Sequence, residues 1–330
     1  MILNKKVLFD NDIKKDSIKG KTIGVIGYGN QGRSQALNLN DSGYQVLVGL
    51  RVGSKSKAKV SKDRLKYDEI LHVFKNADVL AIMIPDNEID QMLLDNIQNL
   101  KKGQTILVSH GYSILYGEAK LPSNVNVVMV APSGGGGVVR SEYQKGFGVP
   151  ALVAVQNDYS GDALDIALSY AKAIGSSKAA VFLSTFKEET ETDLFGEQVI
   201  LTGSIPMIVI ESYKVLLEEG YDPVVSWFVC FYELKTIVDL MFKKGMSSFY
   251  DMVSSTARYG GASRGSMLID DNFKDKIREI LKNIKSGDFK KELEESLSKG
   301  DDGARRLRDV FNSKEFDIVE KEILKRIKKN

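Results

Sequence analysis

Asp193 and Glu197 stand four residues apart in Thr185-Phe186-Lys187-Glu188-Glu189-Thr190-Glu191-Thr192-Asp193-Leu194-Phe195-Gly196-Glu197-Gln198. That spacing puts both carboxylates on one face of a helix, where they repel unless something neutralises them. A hard divalent cation such as Mg2+ suits such a pair, because it takes carboxylate oxygens and keeps several waters. Taken alone, the segment reads better as a solvated acidic helix turn. Glu233 shifts the balance, since it lies in Trp227-Phe228-Val229-Cys230-Phe231-Tyr232-Glu233-Leu234-Lys235-Thr236-Ile237-Val238, a helix apolar nearly all round. A lone carboxylate buried there is costly, so it is expected to be paired, protonated or bound to metal, with a lysine such as Lys235 of a neighbouring helix as the competing partner. His110 follows a strand and is one of two histidines. It can carry a proton near neutral pH, or it can be a structural loop residue. His72, on a helical segment, is read as structural.

A second site is carried by glycines. Gly27-Tyr28-Gly29-Asn30-Gln31-Gly32 follows the strand-like run KTIGVI and opens a helix, the context in which G-x-G-x-x-G binds a dinucleotide. Gly27 permits the tight turn, Gly29 lets a pyrophosphate approach the backbone, and Gly32 allows close packing of helix on strand. The next strand ends Val48-Gly49-Leu50-Arg51, with no carboxylate where an NAD-specific fold usually places one for the ribose hydroxyls. Arg51, Ser54 and Ser56, with Lys55 and Lys57, suit a 2′-phosphate instead, so NADP(H) is expected over NAD(H). A solvated basic loop is the plainer alternative. Asp86 and Gly136 complete the candidate cofactor-binding set.

These residues need a scaffold. Strand-like runs at Lys21–Ile26, Tyr44–Gly49, Asp78–Ile84, Thr105–Ser109 and Val125–Val130 alternate with helical segments such as Gln31–Leu39 and Tyr67–Lys75, the pattern of a parallel α/β sheet. Ala151–Val155 follows, and Ala179–Leu183 can add an edge strand. From Tyr159 on, helical periodicity dominates, broken at Gly220-Tyr221-Asp222-Pro223, Lys244-Gly245 and Gly260-Gly261. The expected fold is α/β, an N-terminal Rossmann domain over residues 1–184 and an all-α domain over 185–330. The charged tail from Asp270 reads as a solvated helix face.

Composition narrows the function. A net charge of +2, from 46 basic and 44 acidic residues, points to a small-molecule substrate rather than to nucleic acid or an anionic membrane. The single cysteine, Cys230, lies in an apolar run and reads as core. No signal peptide is legible in Met1–Asp10, and Val224–Tyr232 is far short of the roughly 20 residues that span a bilayer. A cytoplasmic protein is expected.

GYGNQG, GLRVGSKS, His110-Gly111, VMVAPSGGGGVVR, FKEETETDLFGEQ, ELKTIVDLM, SSTARYG and the tail IREILKNIKSGDF together resemble, in order and spacing, the short-form ketol-acid reductoisomerases. The resemblance implies an NADPH-binding Rossmann domain joined to a knotted helical domain, and two chains sharing each active site. It implies two Mg2+ ions that hold a 2-acetohydroxy acid, migration of an alkyl group, and reduction to a 2,3-dihydroxy acid of branched-chain amino-acid synthesis. By position, Asp193 would bridge both metals, Glu197 would complete the first, and Glu233 of a second chain would bind the other. His110 would lie beside the nicotinamide, and Ser254 would hold the substrate carboxylate.

Four places depart from the family pattern. Val229 stands where a glutamate ligand to the second metal is usual, and Ser133 where a lysine is usual. Gly134-Gly135-Gly136-Gly137 replaces a loop with proline and a larger residue, and Arg258 replaces a glutamate near the substrate serine. A diverged NADPH-dependent reductase of another 2-keto acid or imine is the alternative to the isomeroreductase. A non-catalytic NADP-binding protein is the third reading, disfavoured because Asp193, Glu197, Glu233 and His110 are all present.

Overall fold

The computed structural model describes residues 6–301 and 303–327; the outermost residues of both expected domains, and Asp302, lie outside that range. The chain divides into two compact units, Met1–Thr190 and Glu191–Asn330.

The first unit is built on nine strands: β1 (Val7–Leu8), β2 (Thr22–Ile26), β3 (Gln45–Leu50), β4 (Lys66–Glu69), β5 (Val79–Ile82), β6 (Thr105–Val108), β7 (Asn126–Pro132), β8 (Ala151–Asn157) and β9 (Val181–Leu183). They lie side by side in the order β1-β9-β8-β7-β6-β5-β2-β3-β4. From β4 to β7 all pairings are parallel, and the order reverses between β2 and β5 as in a dinucleotide-binding Rossmann sheet. Side chains alternate between the two faces. Val79 and Ala81 of β5 join one apolar cluster with Ala36, Leu39 and Tyr170, while Leu80 and Ile82 join another with Val73, Phe74 and Leu93. Both faces are thus covered by helices, which is why these strands read as continuous apolar runs.

Three features differ from the sequence reading. Residues Lys66–Glu69, assigned there largely to a helix, form an exposed edge strand whose charges discourage further pairing, and the helix starts only at Ile70. The sheet is not parallel throughout, because β8 runs antiparallel to β7. The chain leaves β7 at Pro132, forms the helix Gly136–Gln144, and returns to the same end of the sheet, where Ser133 N donates to Pro150 O at 2.8 Å. Finally, β9 is not the edge, since β1 pairs antiparallel outside it.

Among the described residues the second unit holds helices only. The helix that begins at Phe186 passes through a π-helical stretch at Glu197–Ser204 and runs on to Glu218. Asp222 caps the next helix by accepting from Val224 N at 2.9 Å and Val225 N at 3.0 Å, with Pro223 in its first turn. A second π stretch, Phe228–Tyr232, precedes the helix Glu233–Lys244. Ile210, Tyr213 and Trp227 are buried together under Phe316, Val319 and Ile323 of the helix Lys314–Ile327. By length and composition alone, Phe186–Glu218 could cross a membrane, which the reading of Val224–Tyr232 did not address. Its first turns, however, carry Glu188, Glu189, Glu191, Asp193 and Glu197.

Candidate active site

At the β2–β5 crossover the glycine loop lines a cleft of about 790 Å3, together with Arg51, Ser54 and Ser56. Gly27 has φ +95, and a β-carbon there would lie 2.8 Å from Met83 O, so both the backbone and the space call for glycine. A β-carbon on Gly32 would collide with the carbonyl oxygen of Gly27, the close approach inferred for the third glycine of the motif. At Gly29 a β-carbon would meet nothing within 4 Å, which leaves room for a pyrophosphate at the start of the helix Asn30–Asp41. The residues present therefore fit a dinucleotide. Asn30 and Gln31 meet the second glycine loop instead of the cleft wall: Gly136 packs on the Asn30 carbonyl, and Gln31 Nε2 donates to Gly134 O at 2.8 Å.

Asp63, at the end of the helix Lys57–Lys62 that follows the basic loop, is tied to the glycine loop and its helix. Tyr28 Oη donates to Asp63 Oδ2 at 2.8 Å, and Arg33 forks onto both its oxygens at 2.6 and 2.8 Å. The Arg33 hydrogen bonds hold the Asp63 carboxyl below its ordinary 3.8, while burial, and then the bond to Asp63, push the Tyr28 phenol up. Because Asp63 is lowered in the folded chain, its contribution is complete above 3.8 and fades as pH falls below that value. Asp63→Asn should cost about 1 to 2 kcal/mol at neutral pH. Denaturant titrations should show that cost disappearing at the lowest pH; a cost that persisted there would contradict the pairing.

His110 follows β6 at its carboxyl end. Its Nδ1 lies 3.6 Å from Asp86 Oδ2, and an imidazole nitrogen lies within 4.8 Å of a Glu189 oxygen. Asp86 thus stands by the histidine, while its neighbours Pro85, Asn87 and Glu88 line the cleft. Glu189, which the sequence reading did not single out, is 2 % exposed and accepts the Gly111 N–H at 3.0 Å. Its signal was available, one helical turn before Asp193. A β-carbon on Gly111 would strike Thr190 Oγ1 and come within 3.1 Å of both Glu189 Oε2 and Phe186 O, so glycine lets this helix start dock on the histidine turn.

Asp193 follows Glu189 by one turn of the helix Phe186–Gly196, and Glu197 opens the π stretch; both are exposed. Glu233 opens its helix directly after the other π stretch and is exposed, so the burial expected for it is not found within one chain. Lys235, its suggested partner, instead bonds Asp239. Val229, one turn earlier, is also exposed. Ser254 caps the helix Ser255–Leu268, its Oγ accepting from Ala257 N at 3.1 Å, and Arg258 lies exposed in the first turn that follows. Ser133 is exposed, with its backbone tied to Pro150. His72 sits at the surface with Nδ1 3.1 Å from Asp68.

Comparison with known proteins places this arrangement. Residues 17–180 match the family profile of the acetohydroxy acid isomeroreductase NADPH-binding domain, and residues 186–329 that of the ketol-acid reductoisomerase C-terminal domain. The chain belongs to the ketol-acid reductoisomerase family. It is 45 % identical over 321 residues to a ketol-acid reductoisomerase (NADP+) of Methanocaldococcus jannaschii, covering 97 % of each chain. The corresponding enzyme of Pyrobaculum aerophilum is 43 % identical, with 97 % of this chain and 98 % of that one covered. Among solved structures, an NADH-preferring ketol-acid reductoisomerase from an uncultured archaeon superposes with a TM-score of 0.90 at 36 % identity, over 97 % of this chain and 98 % of that one. The Rossmann sheet and helical second half of this ketol-acid reductoisomerase family member are those of its relatives.

Proposed function

We propose that the chain is an NADPH- and Mg2+-dependent ketol-acid reductoisomerase, converting a 2-acetohydroxy acid to a 2,3-dihydroxy acid as a cytoplasmic homodimer. The observation that carries this is the docking of Glu189 on the Gly111 amide, which ties the acidic helix to the histidine turn. Asp193 and Glu197 are the assigned metal ligands, with Glu233 supplied by a second copy. Bound there, divalent cations would polarise the substrate's carbonyl and hydroxyl oxygens, and NADPH in the glycine cleft would supply hydride.

The chain's own groups do the rest. His110, with Asp86 and Glu189 near its ring, holds and delivers a proton. Ser254 accepts a backbone hydrogen bond as a helix cap, which leaves its hydroxyl proton to donate to the substrate carboxylate. A homodimer accounts for the apolar side chains exposed along one stretch, Phe228, Val229, Phe231, Val238 and Phe242, which a second copy would cover. It accounts equally for the exposed Ile200, Leu201, Ile208 and Val215 of the long helix, without a membrane. A net charge of +2 gives no reason to invoke nucleic acid.

Val229 supports a second reading, a reductase that has lost the alkyl shift, because valine cannot ligate the second metal. NADPH oxidation with 2-acetolactate, set against 3-hydroxy-3-methyl-2-oxobutyrate, separates the two. The proposal expects turnover of both compounds; turnover of the second alone would establish the reductase. Glutamate at position 229 is expected to lower the Mg2+ concentration needed for the first reaction, and an unchanged metal dependence would show that Val229 does not limit it.

A further inference from the structure

Assignment of the cleft to NADPH rested on the cations after β3, yet the fold brings carboxylates to the same rim. The β3–β4 register sets Glu69 beside Leu50, and Glu69, Glu88 and Asp95 all line the cleft with Arg51. Arg51 already has a counter-ion, since its Nη1 lies 3.3 Å from Glu88 Oε2. The pair spans the cleft from the loop after β3 to the helix Asp86–Asn96.

We infer that Glu88 is a specificity-determining residue that competes with the cofactor's 2′-phosphate for Arg51 and so keeps the enzyme able to use NADH. The inference rests on the dinucleotide reading of this cleft. A 2′-phosphate brings about two negative charges. To reach Arg51 it must displace the Glu88 carboxylate and remain close to it, so part of the attraction is lost to like-charge repulsion. NADH, with a neutral 2′-hydroxyl, leaves the Arg51–Glu88 pair intact. The serines serve either cofactor. Ser54 Oγ accepts from Ser56 N at 3.2 Å, which leaves its hydroxyl proton for a phosphate oxygen or a ribose hydroxyl. Side-chain exposures of 77 % for Arg51 and 39 % for Glu88 put the pair in solvent-screened surroundings, so its effect is graded and not absolute.

The test is equilibrium binding of NADPH and of NADH to the full chain, followed by calorimetry at low salt, for the unaltered protein, Glu88→Gln, Arg51→Gln and the double variant. Glu88→Gln is expected to tighten NADPH about threefold to fivefold, the range of a screened ion pair, and to leave NADH unchanged or slightly weaker. In the Arg51→Gln background the same change should do markedly less, because the competition runs through that guanidinium. Raising the salt should shrink the effect. An NADPH-to-NADH affinity ratio unaltered by Glu88→Gln, or a gain equally large without Arg51, would overturn the inference. Failure of both nucleotides to bind the unaltered chain would instead overturn the cofactor assignment itself.

Discussion

Asp193→Asn should lower NADPH-dependent turnover of 2-acetolactate by about 1000-fold or more, while NADPH affinity and melting temperature stay within error. The size follows from what a metal ligand supports. Polarisation of a reacting oxygen by a divalent cation supplies several kcal/mol in the transition state, and each 1.36 kcal/mol is about tenfold in rate. Asparagine keeps the shape and removes the charge that holds the cation. The fold should register little of the change, because Asp193 is exposed. Reduction of 3-hydroxy-3-methyl-2-oxobutyrate should fall with it. Turnover reduced less than tenfold would remove Asp193 from the metal assignment.

Gly111→Ala is expected to act by a different route, through geometry. The added methyl would strike Thr190 Oγ1 and press on Glu189 Oε2 and on the Phe186 carbonyl, which forces the helix start away from the histidine turn. Overpacking of this kind costs about 1 to 3 kcal/mol, or a melting temperature lower by roughly 2 to 12 °C for a unit of this size. The rate should fall further than stability does, by about 100-fold, because a displacement near 1 Å suffices for that loss. Adding Thr190→Ala removes the nearest obstructing atom and should restore part of the rate. An active Gly111→Ala enzyme with an unchanged melting temperature would show that the two segments are not held as described.

The sequence was most informative where the determining interactions are local. Gly27 and Gly32 have requirements set by the turn and by the adjoining strand, and both are found, whereas nothing in the chain itself crowds Gly29. Strand β4 was less legible, because Lys66-Tyr67-Asp68-Glu69 lies exposed at the sheet edge and carries no apolar alternation. The reversal at β8 depends on where the 133–150 excursion returns, which periodicity does not encode. Site residues follow the same division. Asp193 and Glu197 were singled out by their spacing, whereas Glu189, one turn earlier, was passed over, and the Gly111 amide placed against it across 78 positions is what distinguishes it.

The carboxylates of the cleft rim lay beyond local reading of the loop after β3. No acidic residue ends β3, yet Glu69 arrives through strand pairing and Glu88 through the following crossover. Glu233 shows a second limit. An apolar pattern on nearly every side of its helix led to an expectation of burial, and in the single chain the residue is exposed.

Mn2+ binding followed by electron paramagnetic resonance, with Mn2+ standing in for Mg2+ in the presence of NADPH, tests the metal assignment most directly. The account predicts saturable binding that Mg2+ displaces and that Asp193→Asn and Glu197→Gln each weaken strongly. Binding of the same strength in all three proteins, or none in the unaltered one, would contradict it.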